Sequence, residues 1–539
     1  MIDFYIKYRI NNNLFSLSKR LHDEVSNEHF KLNYEIKDDL IDVNIECKEA
    51  LKIEKVSLNY YQDFKQDDRL FFNGYQSWTY SREHGLDAYN RSIHKIPLKE
   101  VMLPLLSSDR YSDIHFMPYK DKKGFNRSWT YFYIRNNNEY KLFGSLNEDK
   151  GFTSYTYDKD VNYIEIERDL DCVIKDSYSL FKICILKGNE DYVFDKYFEL
   201  MNIKPVKKEK IIGYSSWYNY YQNINEDIIN NDLDSIITHN PDASIYQIDD
   251  GFEKHVGDWE CDENKFPHGL KPIVDKIHKN NLKAGLWLAP FSAEKNSNLV
   301  KEHPDWLVKY NNEAYLCGCN WSSFYALDIY NPEVRKYIED TFDKVFNEWG
   351  FDLVKLDFLY CACILPRSDK PRGTIMAQAM DWLRQLCKGK LILGCGVPLG
   401  SAFGKVDYCR IGCDVSLDYD DKLYMHFLHP ERPSCRNTMA DSIFRRQLNG
   451  RAFLNDPDVF ILRDENTKLT LEHKKDLALV NSLFGSILFV SDDVSKYNDE
   501  VKEFYKEIIN LNSNDYKIDV SDDYVVVTYK ERKIKIKLR

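Results

Sequence analysis

The sequence lacks the long apolar runs, basic blocks and phosphate-binding glycine motifs that mark three common classes of protein. No stretch of its 539 residues approaches the length of a membrane span, and residues 1–19 lack the apolar core of a signal peptide. No long Lys/Arg block occurs and the formal net charge is -12, which disfavours nucleic acid as a partner. Neither G-x-G-x-x-G nor a P-loop is present, so a nucleotide-binding fold is not favoured. We expect a protein that binds neither a membrane nor nucleic acid.

The sequence also has few features of a metal site. Its 13 cysteines are an odd number, and several, such as Cys184, Cys395 and Cys409, lie inside apolar segments, which is typical of reduced thiols in a cytoplasm. Two further cysteine pairs are spaced C-x-C and have no histidine-rich segment near them. His426 and His429 form a single H-x-x-H without other ligands. We predict no metal, no cofactor and a cytoplasmic location.

The periodicity of apolar residues divides the chain into three regions. Residues 1–205 alternate polar and apolar side chains between turn signals, which predicts an N-terminal β-sandwich domain. Residues 206–493 alternate short apolar strands with amphipathic helices, the pattern of a parallel sheet with helical crossovers. Residues 494–539 predict a small C-terminal helix plus a β element. The expected fold class is therefore multidomain α/β.

The central region contains eight candidate strands, which predict a (β/α)8 TIM barrel as the catalytic domain, with an open doubly wound sheet as the alternative. The predicted strands cover residues 211–217, 244–252, 283–290, 351–360, 390–398, 407–414, 453–460 and 482–493. Predicted helices include residues 226–238, 272–280, 332–349 and 375–387. Pro332 after Asn331 is a start signal for the third of these, because proline is favoured at the first helical position.

Polar residues collect at the carboxyl ends of these strands, where barrel enzymes carry their chemistry. Carboxylates follow five strands, and a lysine, an arginine and a tryptophan accompany them. These residues are Asp249, Asp250, Trp287, Lys355, Asp357, Arg410, Asp414, Asp456, Asp458, Asp492 and Asp493. Ionised carboxylates accept hydrogen bonds from hydroxyl groups, so the pattern predicts a pocket for a neutral polyhydroxylated ligand.

The fourth strand carries two opposite charges on one face. Lys355 and Asp357 are two residues apart, and strand side chains alternate, so both point the same way. The ammonium would favour the ionised form of Asp357, which a nucleophile needs; an ordinary buried ion pair is the alternative. Glycoside chemistry needs a second carboxyl group that donates a proton, and Asp414 is the candidate. An ion pair with Arg410, which would keep Asp414 charged, is the competing interpretation.

Several short motifs follow one another along the barrel region. In chain order they are SSWYNYY at 215–221, QIDDGF at 247–252, GDW at 257–259, GLWLAP at 285–290, KLDF at 355–358, LGCGVP at 393–398, RIGCD at 410–414 and NDPD at 455–458. Together they resemble the motifs of the melibiase-type α-galactosidases of glycoside hydrolase family 36. NGYQSW at 73–78 is similar to the family's N-G-W-Q-S-W, with Tyr75 in place of a tryptophan. The resemblance implies a catalytic barrel between β domains.

The resemblance also implies a role for each site residue. Asp357 would be the nucleophile, and Asp414 the general acid and base. For the substrate, it implies Asp249 and Asp250 on the axial 4-hydroxyl and the 6-hydroxyl, Trp287 against the ring, Lys355 and Arg410 on other hydroxyls, Cys395 in the wall, and Trp78 reaching in from the N-terminal domain. Residues 415–419 depart from the family pattern, which leaves the aglycone preference open.

The activity that the resemblance implies is that of a retaining α-galactosidase. Such an enzyme releases terminal α-linked galactose from oligosaccharides of the melibiose and raffinose type, through a covalent galactosyl-enzyme and without a cofactor. An α-N-acetylgalactosaminidase and a galactosyltransferase of the raffinose-synthase type are alternatives on the same fold. A non-catalytic sugar-binding barrel is an alternative of another class. A homo-oligomer is compatible with each of these.

Overall fold

The computed structural model describes residues 1–22, 24–90, 120, 122–420, 432–511 and 515–538. Antiparallel sheets lie at the two ends of the chain, and an eight-stranded parallel sheet lies between them. This arrangement confirms the expected multidomain α/β fold. His426 and His429, the isolated H-x-x-H, lie outside the described residues.

The N-terminal part is built from two antiparallel sheets that share one hydrophobic core. Strand Ile2–Ile10 alternates buried and more exposed residues along most of its length, as the period of two requires. Phe4 from one sheet and Ile41 and Ile183 from the other belong to the same buried cluster. The first sheet contains Ile2–Ile10, Asn13–Arg20, Leu51–Tyr61, Phe125–Trp129, Phe152–Asp158, Tyr163–Asp169 and Val173–Ile174, and the second Phe30–Ile36, Leu40–Cys47, Arg69–Phe72, Arg82–His84, Tyr131–Asn136, Glu139–Ser145 and Ser177–Gly188.

The eight parallel strands form the barrel, and all eight lie within the ranges predicted from the sequence. In chain order, barrel strands one to eight are Ile211–Ser215, Ile245–Ile248, Lys283–Leu288, Leu353–Leu356, Leu391–Gly394, Tyr408–Arg410, Leu454–Asp456 and Ile487–Val490. Strands seven and eight are joined by two backbone hydrogen bonds, from Ser486 N–H to the Asn455 carbonyl at 2.8 Å and from Phe460 N–H to the Phe489 carbonyl at 3.0 Å. These bonds nearly close the barrel. Because neighbouring strands of the barrel are parallel, their carboxyl ends meet at one rim.

The helices of the structure are Glu190–Leu200, Trp217–Tyr220, Glu226–His239, Lys271–Lys279, Asn298–Glu302, Pro332–Asp343, Arg372–Leu386, Leu399–Ala402, Cys435–Phe444, Leu471–Phe484 and Asp499–Ile509. The predicted start at Pro332 is confirmed, since the Asn331 side chain caps this helix by accepting a hydrogen bond from the Glu333 N–H. The predicted start of strand eight at Ser482 was wrong, because Ser482 belongs to helix Leu471–Phe484, whose inner face is buried. None of the helices among the described residues is long and apolar enough to cross a membrane.

Two smaller elements complete the fold. After barrel strand three, the short strands Ser292–Glu294, Leu316–Gly318 and Phe324–Ala326 form a small antiparallel sheet, which we call the strand-three insertion. The two-residue strands Lys309–Tyr310 and Glu313–Ala314 form a hairpin inside it. Strands Tyr516–Val520, Tyr524–Tyr529 and Arg532–Lys537 form the C-terminal antiparallel sheet. The helix and β element predicted for the tail are thus both present.

Candidate active site

The carboxyl ends of the barrel strands open into a cavity of about 430 Å³, a size typical of small-molecule sites. Most of the residues that the sequence predicts for the site line this cavity. They are Trp78, Asp249, Asp250, Trp287, Lys355, Asp357 and Asp414. The other two predicted residues, Cys395 and Arg410, lie behind its wall.

Asp357 is held rigidly at the end of barrel strand four. Its backbone N–H donates to the Leu288 carbonyl at 2.8 Å, which ties it to strand three. Its carboxylate accepts hydrogen bonds from the Trp287 indole at 3.1 Å and from the Phe358 N–H at 2.9 Å. Asp357 is only 7% exposed. The side chain therefore has a fixed direction and one face open to the cavity.

Lys355 forms its ion pair with a different acid from the one we expected. Its ammonium donates to Asp249 Oδ2 at 2.9 Å, and both side chains are buried. Burial is the largest influence on the pKa of Asp357 and raises it, while the Lys355 charge acts through space to lower it and Asp414 raises it further. The predicted influence of Lys355 on Asp357 is therefore present, but it is weaker than desolvation.

The two consecutive acids after barrel strand two have separate partners. Asp249 accepts hydrogen bonds from Gln247 at 2.8 Å, in addition to its contact with Lys355. Asp250 accepts from the Gln222 side-chain amide at 3.0 Å and from the Trp321 indole at 2.9 Å. Both acids thus keep a fixed orientation at the rim, and both line the cavity.

Arg410 is surrounded by three carboxylates. It donates to Asp414 at 2.7 Å, to Asp456 at 3.0 Å and to Asp458 at 2.8 Å. Burial acts to lower the pKa of Arg410, but Asp458 and Asp456 hold it well above its usual value. The ion pair that competes with proton donation by Asp414 is therefore present, and Arg410 binds acids where the resemblance implied sugar hydroxyls. Among the described residues, no group of three or more His, Cys, Asp or Glu could hold a metal ion.

Asp414 differs from the acids around it in its exposure. Its side chain is 43% exposed, whereas the side chains of Asp456 and Asp458 are almost completely buried. The charge of Arg410 is thus matched mainly by two acids that water does not reach. Asp414 is the member of this cluster that borders the cavity.

Trp78 reaches the cavity from the N-terminal part of the chain. The Ser77 N–H donates to the Val397 carbonyl at 3.0 Å, so this segment is attached to the loop after strand five. The Trp78 indole donates to the Cys395 sulfur at 3.2 Å and packs edge-on against Phe358 at 4.9 Å. Cys395 therefore supports the wall from behind, and burial keeps the pKa of its thiol well above the usual value.

Several lining residues were not predicted as site residues. They are Thr79, Trp217, Gln222, Asn320, Trp321, Phe358, Cys413 and Pro433. Asn320 and Trp321 belong to the strand-three insertion, and Trp321 has a left-handed backbone with φ of 52°. Such a turn has no sequence signature without a glycine, so no pattern pointed to this segment. Phe358 and Trp217 lie within the motifs quoted above, so those motifs could have indicated them as site residues.

One family model and several curated proteins match part of the barrel sequence. The family model described as Melibiase matches residues 196–368, a segment that includes Asp357 and ends before Asp414. α-Galactosidase Mel36A of Lactobacillus acidophilus is 30% identical over 164 residues, which are 29% of this chain and 22% of the relative. α-Galactosidase 1 of Pediococcus pentosaceus is 32% identical over 120 residues, 21% of this chain and 16% of the relative. The match thus spans about a fifth of the length of these relatives.

Comparison with solved structures extends the likeness in fold to nearly the whole chain. The α-galactosidase TtGalA from Thermus thermophilus, in complex with p-nitrophenyl α-D-galactopyranoside, has a TM-score of 0.73 at 23% identity and covers 95% of this chain and 98% of its own. The family 36 α-galactosidase AgaA from Geobacillus stearothermophilus has a TM-score of 0.59 at 14% identity, with 92% and 70% covered. The predicted resemblance is confirmed: part of the barrel sequence is similar to melibiase-type α-galactosidases, and the fold is similar to that of a family 36 α-galactosidase.

Proposed function

We propose that this chain is a retaining α-galactosidase that hydrolyses terminal α-linked galactose from oligosaccharides. The observation that carries the proposal is that a buried acid, Asp357, and a partly exposed acid, Asp414, border one cavity. Glycosidases need two carboxyl groups with opposed tasks, and different surroundings are what separate such tasks. The relatives named above are α-galactosidases, and a second TtGalA structure contains stachyose, which supports an oligosaccharide substrate.

In the first step of the proposed reaction, Asp357 acts as the nucleophile. A carboxylate oxygen of Asp357 forms a bond to the anomeric carbon as the bond to the leaving oxygen breaks, and that oxygen takes a proton from Asp414. The Trp287 and Phe358 hydrogen bonds stabilise the ionised carboxylate and aim it.

In the second step, water releases the galactose. Asp414 takes a proton from a water molecule, whose oxygen attacks the anomeric carbon, and the bond to Asp357 breaks. The ion pair with Arg410 suits Asp414 to this second task as a base. Arg410 is a positioning residue in this scheme.

The remaining polar residues of the cavity would bind the sugar. Asp249 and Asp250 present carboxylate oxygens to hydroxyl groups, and Lys355 presents an ammonium. Trp287 and Trp321 offer apolar surface, with ring centres 6.1 Å apart. Because all three charged groups already have hydrogen-bond partners, they would meet the sugar with little reorganisation.

A panel of aryl glycosides tests the substrate class. We expect hydrolysis of p-nitrophenyl α-galactoside, and much weaker hydrolysis of the α-N-acetylgalactosaminide. Incubation with sucrose and a galactosyl donor measures transfer in competition with hydrolysis. Activity confined to β-linked or gluco-configured sugars would contradict the proposal.

Azide rescue tests the role of Asp357. The Asp357→Gly variant should be inactive, and adding azide should restore cleavage of an activated aryl α-galactoside and give β-galactosyl azide. The β product is expected because azide would enter from the face that Asp357 leaves open. Full activity of the variant without azide would exclude Asp357 as the nucleophile.

The thiols support a location in a reducing compartment. Of the 13 cysteines, ten are buried and two are partly buried, as is typical of reduced thiols in a protein core. We therefore propose that the protein acts in the cytoplasm, and cell fractionation with an antibody against the chain tests this.

A further inference from the structure

A second buried acid, Glu253, lies next to Asp250 and has no part in the reaction described above. Glu253 is 4% exposed, and its Oε2 accepts a hydrogen bond from the Gly251 N–H at 3.3 Å. Its carboxyl group is also within hydrogen-bonding reach of the Asp250 carboxyl. Asp250 borders the cavity, whereas Glu253 stands behind it. A buried carboxyl in contact with a substrate-facing carboxyl needs a physical reason.

One proton shared between the two acids gives that reason. Two ionised carboxylates in contact repel each other strongly, so such a pair holds one proton at neutral pH. Asp250 receives hydrogen bonds from Gln222 and Trp321, which stabilise its ionised form. Glu253 has no ion pair with a cation among the described residues. Burial, followed by the charge of Asp250, raises the pKa of Glu253 well above its usual value, so the proton belongs on Glu253.

The other titratable groups around this pair do not change that assignment. Cys261 pairs with Glu253 across an antiparallel bridge, and burial raises the pKa of its thiol to about 11. The Lys265 ammonium donates to the backbone carbonyl of Gly251 at 2.9 Å and not to either acid. Burial raises the pKa of Asp250 and the charge of Asp249 adds to that rise, while the hydrogen bonds from Glu253, Trp321 and Gln222 lower it. The rise is therefore smaller at Asp250 than at Glu253.

We infer that Glu253 is a positioning residue whose protonated carboxyl donates a hydrogen bond to Asp250 and aims the Asp250 carboxylate at a hydroxyl group of the sugar. The inference rests on the proposed function for the identity of the ligand. The carboxylate of Asp250 then has three fixed donors, namely Gln222, Trp321 and Glu253. A carboxylate fixed in this way loses little freedom when the sugar binds.

Substitutions at position 253 test the inference through kinetics. Glu253→Gln keeps a neutral hydrogen-bond donor of the same shape, so kcat/KM should stay within about threefold of wild type. Glu253→Ala removes the donor and should lower kcat/KM by about tenfold to a hundredfold, mainly through KM. In an Asp250→Asn background, Glu253→Ala should lower kcat/KM little further, because the Asp250 carboxylate that Glu253 is inferred to aim is already gone. Equal losses of kcat/KM in Glu253→Gln and Glu253→Ala would show that Glu253 is only structural. So would the same loss on Glu253→Ala in the wild-type and the Asp250→Asn backgrounds.

Infrared spectroscopy tests the protonation without using activity. The spectrum of wild type minus Glu253→Gln at neutral pH should show the absorption of a protonated carboxylic acid. The matched control is Glu294→Gln, since Glu294 is equally buried but pairs with His255 at 2.6 Å and does not contact Asp250. Its difference spectrum should lack that band. Absence of the band in the Glu253 spectrum overturns the inference, whatever the activity. The band together with an inactive wild type would instead overturn the proposed function alone.

Discussion

At the scale of single residues, the cavity contains carboxyl groups of three different kinds. Asp249 is buried and paired with Lys355, Asp357 is buried and bonded by neutral donors, and Asp414 is partly exposed beside Arg410. The chemical groups are identical, so only their surroundings separate them. Burial raises the pKa of Asp357, and the Lys355 charge opposes that rise. The balance between these two influences sets the pH at which the proposed nucleophile becomes ionised.

A substitution of Lys355 should move the acidic limb of the pH–activity profile. In Lys355→Met the pKa of Asp357 rises further, because the one influence that lowers it most is lost and Asp249 is left without its cation. The reaction needs ionised Asp357, so activity on the acidic side should be lost at a higher pH than in wild type. The profile of kcat/KM measures this, since it reports groups of the free enzyme.

A matched lysine provides the control for that experiment. Lys283 lies at the amino end of barrel strand three, is exposed, and does not line the cavity. Lys283→Met should leave the acidic limb where it is in wild type. If Lys355→Met lowers kcat/KM equally at every pH, Lys355 acts only in binding and not on the ionisation of Asp357.

At the scale of elements, the sequence predicted what depends on local patterns. The eight barrel strands are apolar runs bounded by turns, and the acids come directly after them, so both the barrel and the position of Asp250 and Asp357 could be predicted. The ion-pair partner of Lys355 could not be predicted, because Asp249 follows strand two, which strand three separates from strand four, and the sequence offered both Asp249 and Asp357 as partners. The strand-three insertion was missed for a similar reason. Its strands are two or three residues long, too short to show a period, and their pairing is set by tertiary contacts.

The loop after barrel strand five depends on one glycine for its close approach to the cavity wall. Gly396 has φ of +56°, and a Cβ there would lie 2.9 Å from both Phe358 N and Trp78 Cζ2. Gly396→Ala should therefore cost about 2 to 5 kcal/mol of unfolding free energy, from backbone strain and overpacking together. It should also lower kcat/KM, because Phe358 and Trp78 line the cavity. Denaturant unfolding and kinetics measure the two effects.

A second glycine in the same barrel separates strain from overpacking. Gly389 has φ of +78°, but nothing lies within 4 Å of a Cβ added there. Gly389→Ala should cost only about 1 to 2 kcal/mol, the price of a left-handed alanine, and leave kinetics unchanged. If the two substitutions change the unfolding free energy and the kinetics equally, the loop after strand five can shift to accommodate the added methyl group, and its contact with Trp78 contributes little.

At the scale of the whole molecule, the N-terminal sheets are part of the site. Segment 73–82 crosses from the sandwich to the barrel and brings Trp78 and Thr79 to the cavity. Arg445, fully buried on the barrel side, donates to the carbonyls of Gln76, Ser77 and Ile411 and to the Asn73 side chain. The barrel without the N-terminal sheets would therefore have an open wall.

The buried ion pair between Arg82 and Asp441 should couple the stability of the two parts to activity. Arg82 donates to Asp441 at 2.5 Å with both side chains buried, and Asp441 also accepts from the Ser81 N–H at 2.9 Å. Arg82→Met leaves Asp441 as an unpaired buried charge, so we expect a loss of about 3 to 5 kcal/mol and a smaller loss when Asp441→Leu is combined with it. Asp191→Asn, in the exposed pair with Arg451, should cost less than about 1 kcal/mol.

The kinetics of these variants decide what the ion pair does. Arg82→Met should raise KM for an aryl α-galactoside, because Trp78 loses its anchored segment, and Asp191→Asn should not change it. Unfolding should be followed by tryptophan fluorescence, since Trp78 and Trp129 belong to the N-terminal part and Trp287 to the barrel. If Arg82→Met lowers stability but leaves KM unchanged, the contact is a structural support alone, and Trp78 reaches the cavity through its bond to Cys395. If KM does rise in Arg82→Met, the Arg82→Met, Asp441→Leu double variant separates two causes. A KM that stays high in the double variant would show that the pair acts by holding segment 73–82 in place, and not by balancing the charge of Asp441.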